Sequence, residues 1–442
     1  MNVGVPPQAG GDGGCNNKLA APRGEGTADR LGRVKVLIVG SGGREHALAW
    51  GISRSPSLSE LHAAPGNPGI AELGSCHPVR ADDGEGLLGL CRELAIDLVV
   101  VGPETPLVAG IADVLRHAGV AVFGPGAEAA RIEGSKLFAK EVMQAAEVPT
   151  ARTLAVARPP CVVKTDGLAG GKGVFVCHTR EALDAGLREA AGFGGPLVIE
   201  ELLEGPEVSV FAVSDGSSVL PLAAAQDFKR AFDGDAGPNT GGMGAYSPVP
   251  DIGPGELESL VDTIHRPVIA ELARRGAPYV GVLYAGLIMT DSGPRVLEFN
   301  CRFGDPETQA ILPLLQGDFL PTLSNAASGR LQEVDLASQG AAVTVAVTAG
   351  AYPAGNDTGS PIAGIAEAEA AGALVFHAGT AKHGSRIVTS GGRILNVTGV
   401  AATLGAARAR AYDGVALISF DGARHRTDIA ADAAAQEAHV TG

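Results

Sequence analysis

The densest chemistry in this 442-residue chain lies in Lys164-Thr165-Asp166-Gly167-Leu168-Ala169-Gly170-Gly171-Lys172-Gly173-Val174. Glycines free backbone amides, and together with two ammonium groups those amides can neutralise the oxygens of a triphosphate. The Walker pattern is different: it needs GxxxxGK, then Ser or Thr, then a helix. The stretch reads as a hairpin flap that closes over a nucleotide, with a flexible surface hairpin as the plain alternative. A second concentration of charge is Leu297-Glu298-Phe299-Asn300-Cys301-Arg302-Phe303-Gly304-Asp305-Pro306-Glu307. On a strand, residues two apart face the same side, so Glu298 and Asn300 point together while Phe299 enters the core. Paired oxygens beside a phosphate site suit Mg2+, which takes one or two protein ligands and completes its octahedron with phosphate and water. Arg302, Asp305 and Glu307 follow in an irregular turn, a cluster hard to explain by stability alone.

Three further stretches have weaker signals. Gly40-Ser41-Gly42-Gly43-Arg44-Glu45-His46 follows an apolar run and opens a helical pattern, presenting free N–H groups and a helix dipole to an anion. A dinucleotide fingerprint fails here, because Glu45 holds the third glycine position and Leu61-His62-Ala63-Ala64 runs into Pro65-Gly66-Asn67 without an acid. Arg44 turns the reading toward a phosphate-bearing substrate. Val198-Ile199-Glu200-Glu201-Leu202-Leu203-Glu204-Gly205-Pro206-Glu207 is a strand end that could offer backbone groups to adenine and a carboxylate to ribose, or simply solvated acids. Residues 226–248, with Asp227, Lys229 and Arg230, read as a polar, glycine-rich loop lining a ligand rather than as an element.

These groups need a scaffold. Apolar runs at 34–39, 97–101 and 120–123 each end in glycine or Gly-Pro, with helical patterns such as 111–117 between them. Such alternation predicts a parallel sheet with ligands at the carboxyl ends of its strands, hence an α/β class (α+β overall). The expected organisation is a disordered extension over 1–33, an N-terminal unit over 34–131, a central unit over 132–335 and a C-terminal unit over 336–442. Strands are expected in the central unit at 161–164, 197–200, 208–213, 280–289 and 295–299, with helices at 180–191 and 257–275. The last unit should hold strands at 343–349, 374–378 and 393–397, and a helix at 403–412. A net charge of −15 argues against nonspecific nucleic-acid binding, since a polyanion must meet a basic surface. No run of about 18 apolar residues predicts a membrane span, and the first residues lack a secretory signal. Six scattered cysteines without a CxxC pair read as reduced cytosolic thiols, not disulfides or a zinc site.

Ten segments in order carry a close resemblance: VGSGGREHALAW, APGNPG, VGPETPLV, EGSK, KTDGLAGGKGV, QDFKR, GPNTGGMGAYSP, GVLYAGL, EFNCRFGDPETQ and FHAGT. From residue 34 to about 429 the chain resembles the phosphoribosylamine–glycine ligase family of ATP-grasp enzymes. The resemblance implies an ATP-grasp fold with an N-terminal parallel-sheet domain, a lid subdomain over about 150–212 and a β-rich C-terminal domain. It implies ATP-dependent ligation of glycine to 5-phosphoribosylamine through glycyl phosphate, the chemistry of purine biosynthesis, in a cytoplasmic monomer or weak dimer. Lys136, Lys164, Gly170, Gly171, Lys172 and Gly173 would hold the ATP phosphates, Glu200, Glu201 and Leu203 the adenine, and Glu207 the ribose. Glu298 and Asn300 would bind Mg2+ or Mn2+. Lys172, Arg302 and Asp305 would be catalytic, with Arg302, Asp305 and Glu307 holding glycine by its two charged ends. Gly42, Gly43, Arg44, Glu45, Gly102, Pro103 and Glu104 would bind phosphoribosylamine. Asp227, Lys229 and Arg230 would also face substrate, the two cations meeting either phosphate. The segment 149–164 looks shorter than the family's usual one, which puts the lid's early helix in doubt, and no third metal carboxylate is identifiable by pattern. The competing readings are another ATP-grasp ligase such as a biotin-dependent carboxylase subunit, a silent nucleotide-binding protein, and a nicotinamide oxidoreductase.

Overall fold

The first apolar run forms the strand Val34–Gly40, the centre of a five-stranded parallel sheet. Its order is Ser75–Cys76, Leu58–Pro65, Val34–Gly40, Leu98–Val101, Ala121–Phe123. Val36, Leu37, Ile38 and Val39 are wholly buried, because helices cover both faces; this is why the run is continuous rather than alternating. The chain leaves the central strand to one side for Leu58–Pro65 and later returns to its other side at Leu98–Val101. The sheet's switch point therefore lies between the carboxyl ends of the central strand and Leu98–Val101, where Gly40 to Gly43 and Gly102 to Glu104 follow. The computed structural model describes residues 1, 33–168, 170, 172–331 and 336–441. All but the two ends of the extension expected over 1–33 lie outside the described residues.

A small antiparallel sheet comes next, ordered Val174–Cys177, Cys161–Thr165, Leu197–Glu201. The helix Arg180–Ala191 covers it, capped by Thr179, and buries Leu183 and Ala190 against Cys161, Val163 and Cys177. Residues 149–160 contain no helix; Thr150 bridges to Val296 and Thr153 to Glu200 instead.

The largest sheet among the described residues is eight-stranded and antiparallel. Its order is Gly293–Asn300, Val280–Thr290, Glu207–Asp215, Val219–Asp227, Gly244–Ser247, Ala341–Thr348, Arg393–Ala401, Leu374–His377. The expected loop over 226–248 is thus partly wrong. It holds a hairpin, Arg230–Phe232 with Ala236–Asn239, and then the strand Gly244–Ser247 that joins the central strands to the C-terminal ones. Met243, Ala245 and Tyr246 are buried there, so pairing on both sides overrides the low strand propensity of the glycines. The helix expected over 257–275 begins at Pro254 and widens into a π-turn at Val261–His265. Pro267, which lacks an N–H, follows directly; the wider turn accommodates it.

Candidate active site

Lys164 and Glu200 lie on adjacent strands of the small sheet, on the same face, because Val162 stands opposite Glu200. Lys164 Nζ is 2.7 Å from Glu200 Oε2 and donates to the Leu297 carbonyl at 2.9 Å. That bond ties the small sheet to the strand carrying Glu298. The other Glu200 oxygen is 2.5 Å from Lys140 Nζ, and Glu200 is buried. Lys140 lies one helical turn beyond Lys136 on Lys136–Ala145, so both ammonium groups leave the same helix face. Lys136 Nζ donates to the Gly167 carbonyl at 3.0 Å, and the Leu137 amide donates to Asp166 at 3.2 Å. These contacts anchor the base of the glycine-rich loop. Burial pulls the Lys136 ammonium below its ordinary value, with Glu298 opposing the shift. Beyond the base the loop is open: Gly170 has a positive φ of 56°, a β-carbon added there would meet nothing within 4 Å, and Lys172 is exposed without an ion pair among the described residues. Gly171 lies outside the described residues. Gly173 closes the hairpin, its carbonyl accepting from the Thr165 amide at 2.8 Å.

Leu203 follows the strand Leu197–Glu201, and among the described residues its amide and carbonyl have no backbone partner, as a base-reading segment requires. Glu201 is turned away toward Arg152, 3.2 Å from its guanidinium. Glu207 is exposed and 2.6 Å from Lys229 Nζ.

Glu298 stands open in the cleft on Gly293–Asn300 and makes no hydrogen bond or ion pair among the described residues. Desolvation would raise its pKa, but Lys229, Lys164, Arg302 and Lys136 together hold it below the usual carboxylate range. Asn300 is buried beside it, its Oδ1 accepting from Arg302 at 3.2 Å. An ionised carboxylate with free oxygens next to an amide oxygen fits a hard divalent cation. Such an ion would complete its shell with phosphate and water. Asp227 faces the same cleft. Desolvation pushes it up to about 7 against the pull of Lys229, with Glu307, Glu207 and Glu298 adding to the rise. Lys229 is held well above its ordinary value by Asp227, although burial opposes that. Arg230 instead points outward to Asn239.

Arg302 joins two parts of the molecule. It reaches Glu104, at the switch point of the parallel sheet, at 3.3 Å, and Glu133 at 3.5 Å. Burial would lower its pKa, but Glu133 and Glu104 raise it. Glu307 is buried, its Oε1 accepting from the Ser209 hydroxyl at 3.3 Å, and Ser209 Oγ in turn accepts from the Tyr284 hydroxyl at 2.9 Å. Asp305 is held low by Arg393 and Arg44 despite burial, and Arg393 lies 3.3 Å from its carboxylate.

Glu45 is engaged within the protein. It accepts from the Gly42 amide at 2.6 Å and from Arg44 Nε at 2.7 Å. A β-carbon on Gly102 would lie 2.0 Å from its Oε1, so Glu45 braces both switch-point loops. Pro103 caps the short helix Glu104–Val108 at the same place. Gly42 and Gly43 open onto a cavity of about 430 Å³. Residues 41–43 and 65–67 form one side, residues 378–380 and 390–393 the other, and Asp305 lies between. Sequence reasoning missed Arg393, which nothing local marks, and gave no site role to Ala378, Gly379 and Thr380 although they close the FHAGT segment. It also missed Lys140, which its four-residue spacing from Lys136 could have revealed.

The N-domain model of phosphoribosylglycinamide synthetase matches residues 34–133, its ATP-grasp (A) domain model residues 134–308, and its C-domain model residues 342–432. The chain is similar to phosphoribosylamine–glycine ligase of Streptomyces coelicolor, 51% identical over 418 residues that cover 91% of this chain and all of that protein. It is likewise similar to the enzyme of that name from Rhizobium meliloti, 46% identical, covering 91% of this chain and all of that one. Among solved structures, phosphoribosylamine–glycine ligase from Thermotoga maritima superposes with a TM-score of 0.79 at 34% identity, over 90% of this chain and all of that one. The biotin carboxylase domain of 2-oxoglutarate carboxylase from Hydrogenobacter thermophilus, in complex with MgADP, superposes with a TM-score of 0.66 at 17% identity, over 88% and 91%, and shares the fold.

Proposed function

The chain belongs to the phosphoribosylglycinamide synthetase family, and on that premise we propose the residue roles by which it carries out the family's reaction. The protein is an ADP-forming carbon–nitrogen ligase of purine biosynthesis: it joins glycine to 5-phosphoribosylamine, giving glycinamide ribonucleotide, ADP and phosphate. ATP acts with a divalent cation; we take the cation to be Mg2+ or Mn2+.

A glycine carboxylate oxygen attacks the γ-phosphorus, the bond to the β-phosphate oxygen breaks, and ADP leaves. The amine nitrogen of phosphoribosylamine then attacks the acyl carbon of glycyl phosphate; the carbon–oxygen bond breaks, phosphate departs and a proton leaves the amine. No protein nucleophile is needed, so the residues act by positioning and electrostatics. Leu203 meets adenine through its backbone, beside Glu200 and Glu201. Glu207 takes the ribose once Lys229 turns to phosphate. Lys136 and Lys164 hold phosphate oxygens, and the loop through Gly170, Gly171, Lys172 and Gly173 closes over them. Glu298 and Asn300 hold the cation, which when bound offsets charge on the transferring phosphoryl group. Arg302 orients the glycine carboxylate, with Asp305 and Glu307 toward its amino end. Phosphoribosylamine occupies the cavity beside Gly42 and Gly43, framed by Arg44, Glu45, Gly102, Pro103 and Glu104, while Asp227 and Arg230 flank the cleft. The observation that carries this reading is Glu298, a carboxylate lowered by four cations yet bonded to none of them. We further propose a cytoplasmic monomer or weak dimer; the five described cysteines are free, and no helix of the described residues is long and apolar enough to cross a membrane.

The test is purified protein with ATP, Mg2+ and glycine, with and without phosphoribosylamine generated in place, following ADP and product mass. ADP release that requires both glycine and the amine, with a product of the mass of glycinamide ribonucleotide, is expected. Turnover with bicarbonate in place of glycine would overturn the reading.

A further inference from the structure

The cavity assigned to phosphoribosylamine has walls from opposite ends of the chain, and two side chains fix the gap between them. The His377 amide donates to His46 Nδ1 at 2.8 Å. The His377 carbonyl accepts from Asn67 Nδ2 at 2.9 Å. Both backbone groups of one residue are thus bonded across more than 300 positions to the N-terminal sheet. Asn67 also donates to the Ser41 carbonyl at 2.9 Å and accepts from the Ile70 amide at 3.0 Å, so the same side chain spans both walls. His46, Asn67 and His377 are all buried. His46 lies edge-on to Phe376 at 5.5 Å and to His377 at 5.6 Å. His377 Nδ1 lies 3.0 Å from the hydroxyl of Thr380, the last cavity residue of that loop. Burial holds the His46 imidazole down to about 3, so it stays neutral and its Nδ1 remains an acceptor. None of these side chains is needed for the chemistry at the nucleotide.

We propose that His46 and Asn67 are positioning residues for phosphoribosylamine: by gripping the amide and carbonyl of His377 they hold Ala378, Gly379 and Thr380 as the far wall of its cavity. The proposal rests on the reading that this cavity receives that substrate. A displacement of the wall by a fraction of an ångström would loosen the amine-bearing substrate while leaving the ATP and glycine groups in place.

The experiment compares wild type with H46L, H46N and N67D. It measures KM for each of the three substrates and, by calorimetry, the affinity for glycinamide ribonucleotide. H46L and N67D should raise KM for phosphoribosylamine and weaken product binding by about 10- to 100-fold, with KM for ATP and glycine within about twofold of wild type. H46N, which keeps an acceptor near the Nδ1 position, should recover most of the loss. Three outcomes would overturn the proposal: unchanged product affinity in H46L and N67D, a parallel rise in all three KM values, or loss of cooperative melting in both variants. If the wild type makes the product and the S390E variant, which places a carboxylate on the cavity rim, binds that product equally well, the cavity assignment itself falls. That failure is distinct from failure of the grip on His377.

Discussion

A carboxylate that faces Lys136, Lys164, Lys229 and Arg302 without bonding to any of them is set up for a ligand that brings both negative charge and a cation. Glu298→Ala should therefore lower kcat by about 100-fold or more while leaving the melting temperature near that of wild type. Steady-state kinetics beside thermal melting checks this, and retained turnover would exclude Glu298 as the metal ligand. Glu200 is different, since its two oxygens are already taken by Lys140 and Lys164 in a largely buried cluster. Lys140→Met removes one of its two cations and should cost about 3 kcal/mol of stability in urea denaturation. A loss below about 0.5 kcal/mol would mean the pair behaves as a surface contact. At this scale the sequence was informative wherever one element carried the whole signal. Glu298 and Asn300 share a face because strands have a period of two. Arg393 was invisible, because it enters the site only through a sheet that joins the strand Gly244–Ser247 to Ala341–Thr348 and that strand to Arg393–Ala401.

The elements that place these groups are mostly strands, and two of those in the parallel sheet end at a glycine, Gly40 and Gly102. Gly102 allows the Leu98–Val101 strand to end against Glu45, and a β-carbon there would lie 2.0 Å from the carboxylate. Gly102→Ala should destabilise the fold by about 1–3 kcal/mol and raise KM for phosphoribosylamine more than KM for ATP; equal effects on both would argue against a local brace. The glycine-rich hairpin makes the opposite case. Lys172 is exposed and has no ion pair among the described residues, so Lys172→Ala should leave stability unchanged while lowering kcat/KM for ATP by about tenfold or more. Unaltered kinetics would reduce the hairpin to a surface feature. Apolar runs bounded by Gly or Gly-Pro were readable as strands because burial on both faces removes any need for alternation. The strand Gly244–Ser247 was not, because its three small residues and one tyrosine become a strand only when a partner stands on each side.

Across the whole molecule, three buried histidines set a pH dependence. Burial lowers His46 to about 3 and His265 and His377 to about 4. Between about pH 4 and 6.5 the unfolded chain binds more protons at these sites than the folded one, so each adds stability as pH rises and loses it as pH falls, up to about 1.4 kcal/mol per pH unit. Asp227, raised to about 7, acts with the opposite sign. Comparison of wild type with His265→Leu isolates one histidine: the variant should lose less melting temperature between about pH 7 and pH 4.5. Identical pH slopes would contradict the assignment. The alternation of buried strands and helices over residues 34–123 was legible from local patterns. The continuity of the eight-stranded sheet was not, since pairing across a hundred residues leaves no local trace, and neither did the contact of His377 with His46 and Asn67.

The central claim is that the cleft between the glycine-rich hairpin and Glu298 activates a carboxyl group by phosphoryl transfer before the amide forms. Glycine labelled with 18O in its carboxylate, turned over with ATP and phosphoribosylamine, reads this step directly by mass spectrometry of the released phosphate. One labelled oxygen in each phosphate, with the other retained in the product amide, is the predicted result. Phosphate free of label would show that the carboxylate never attacked phosphorus, and would contradict the account.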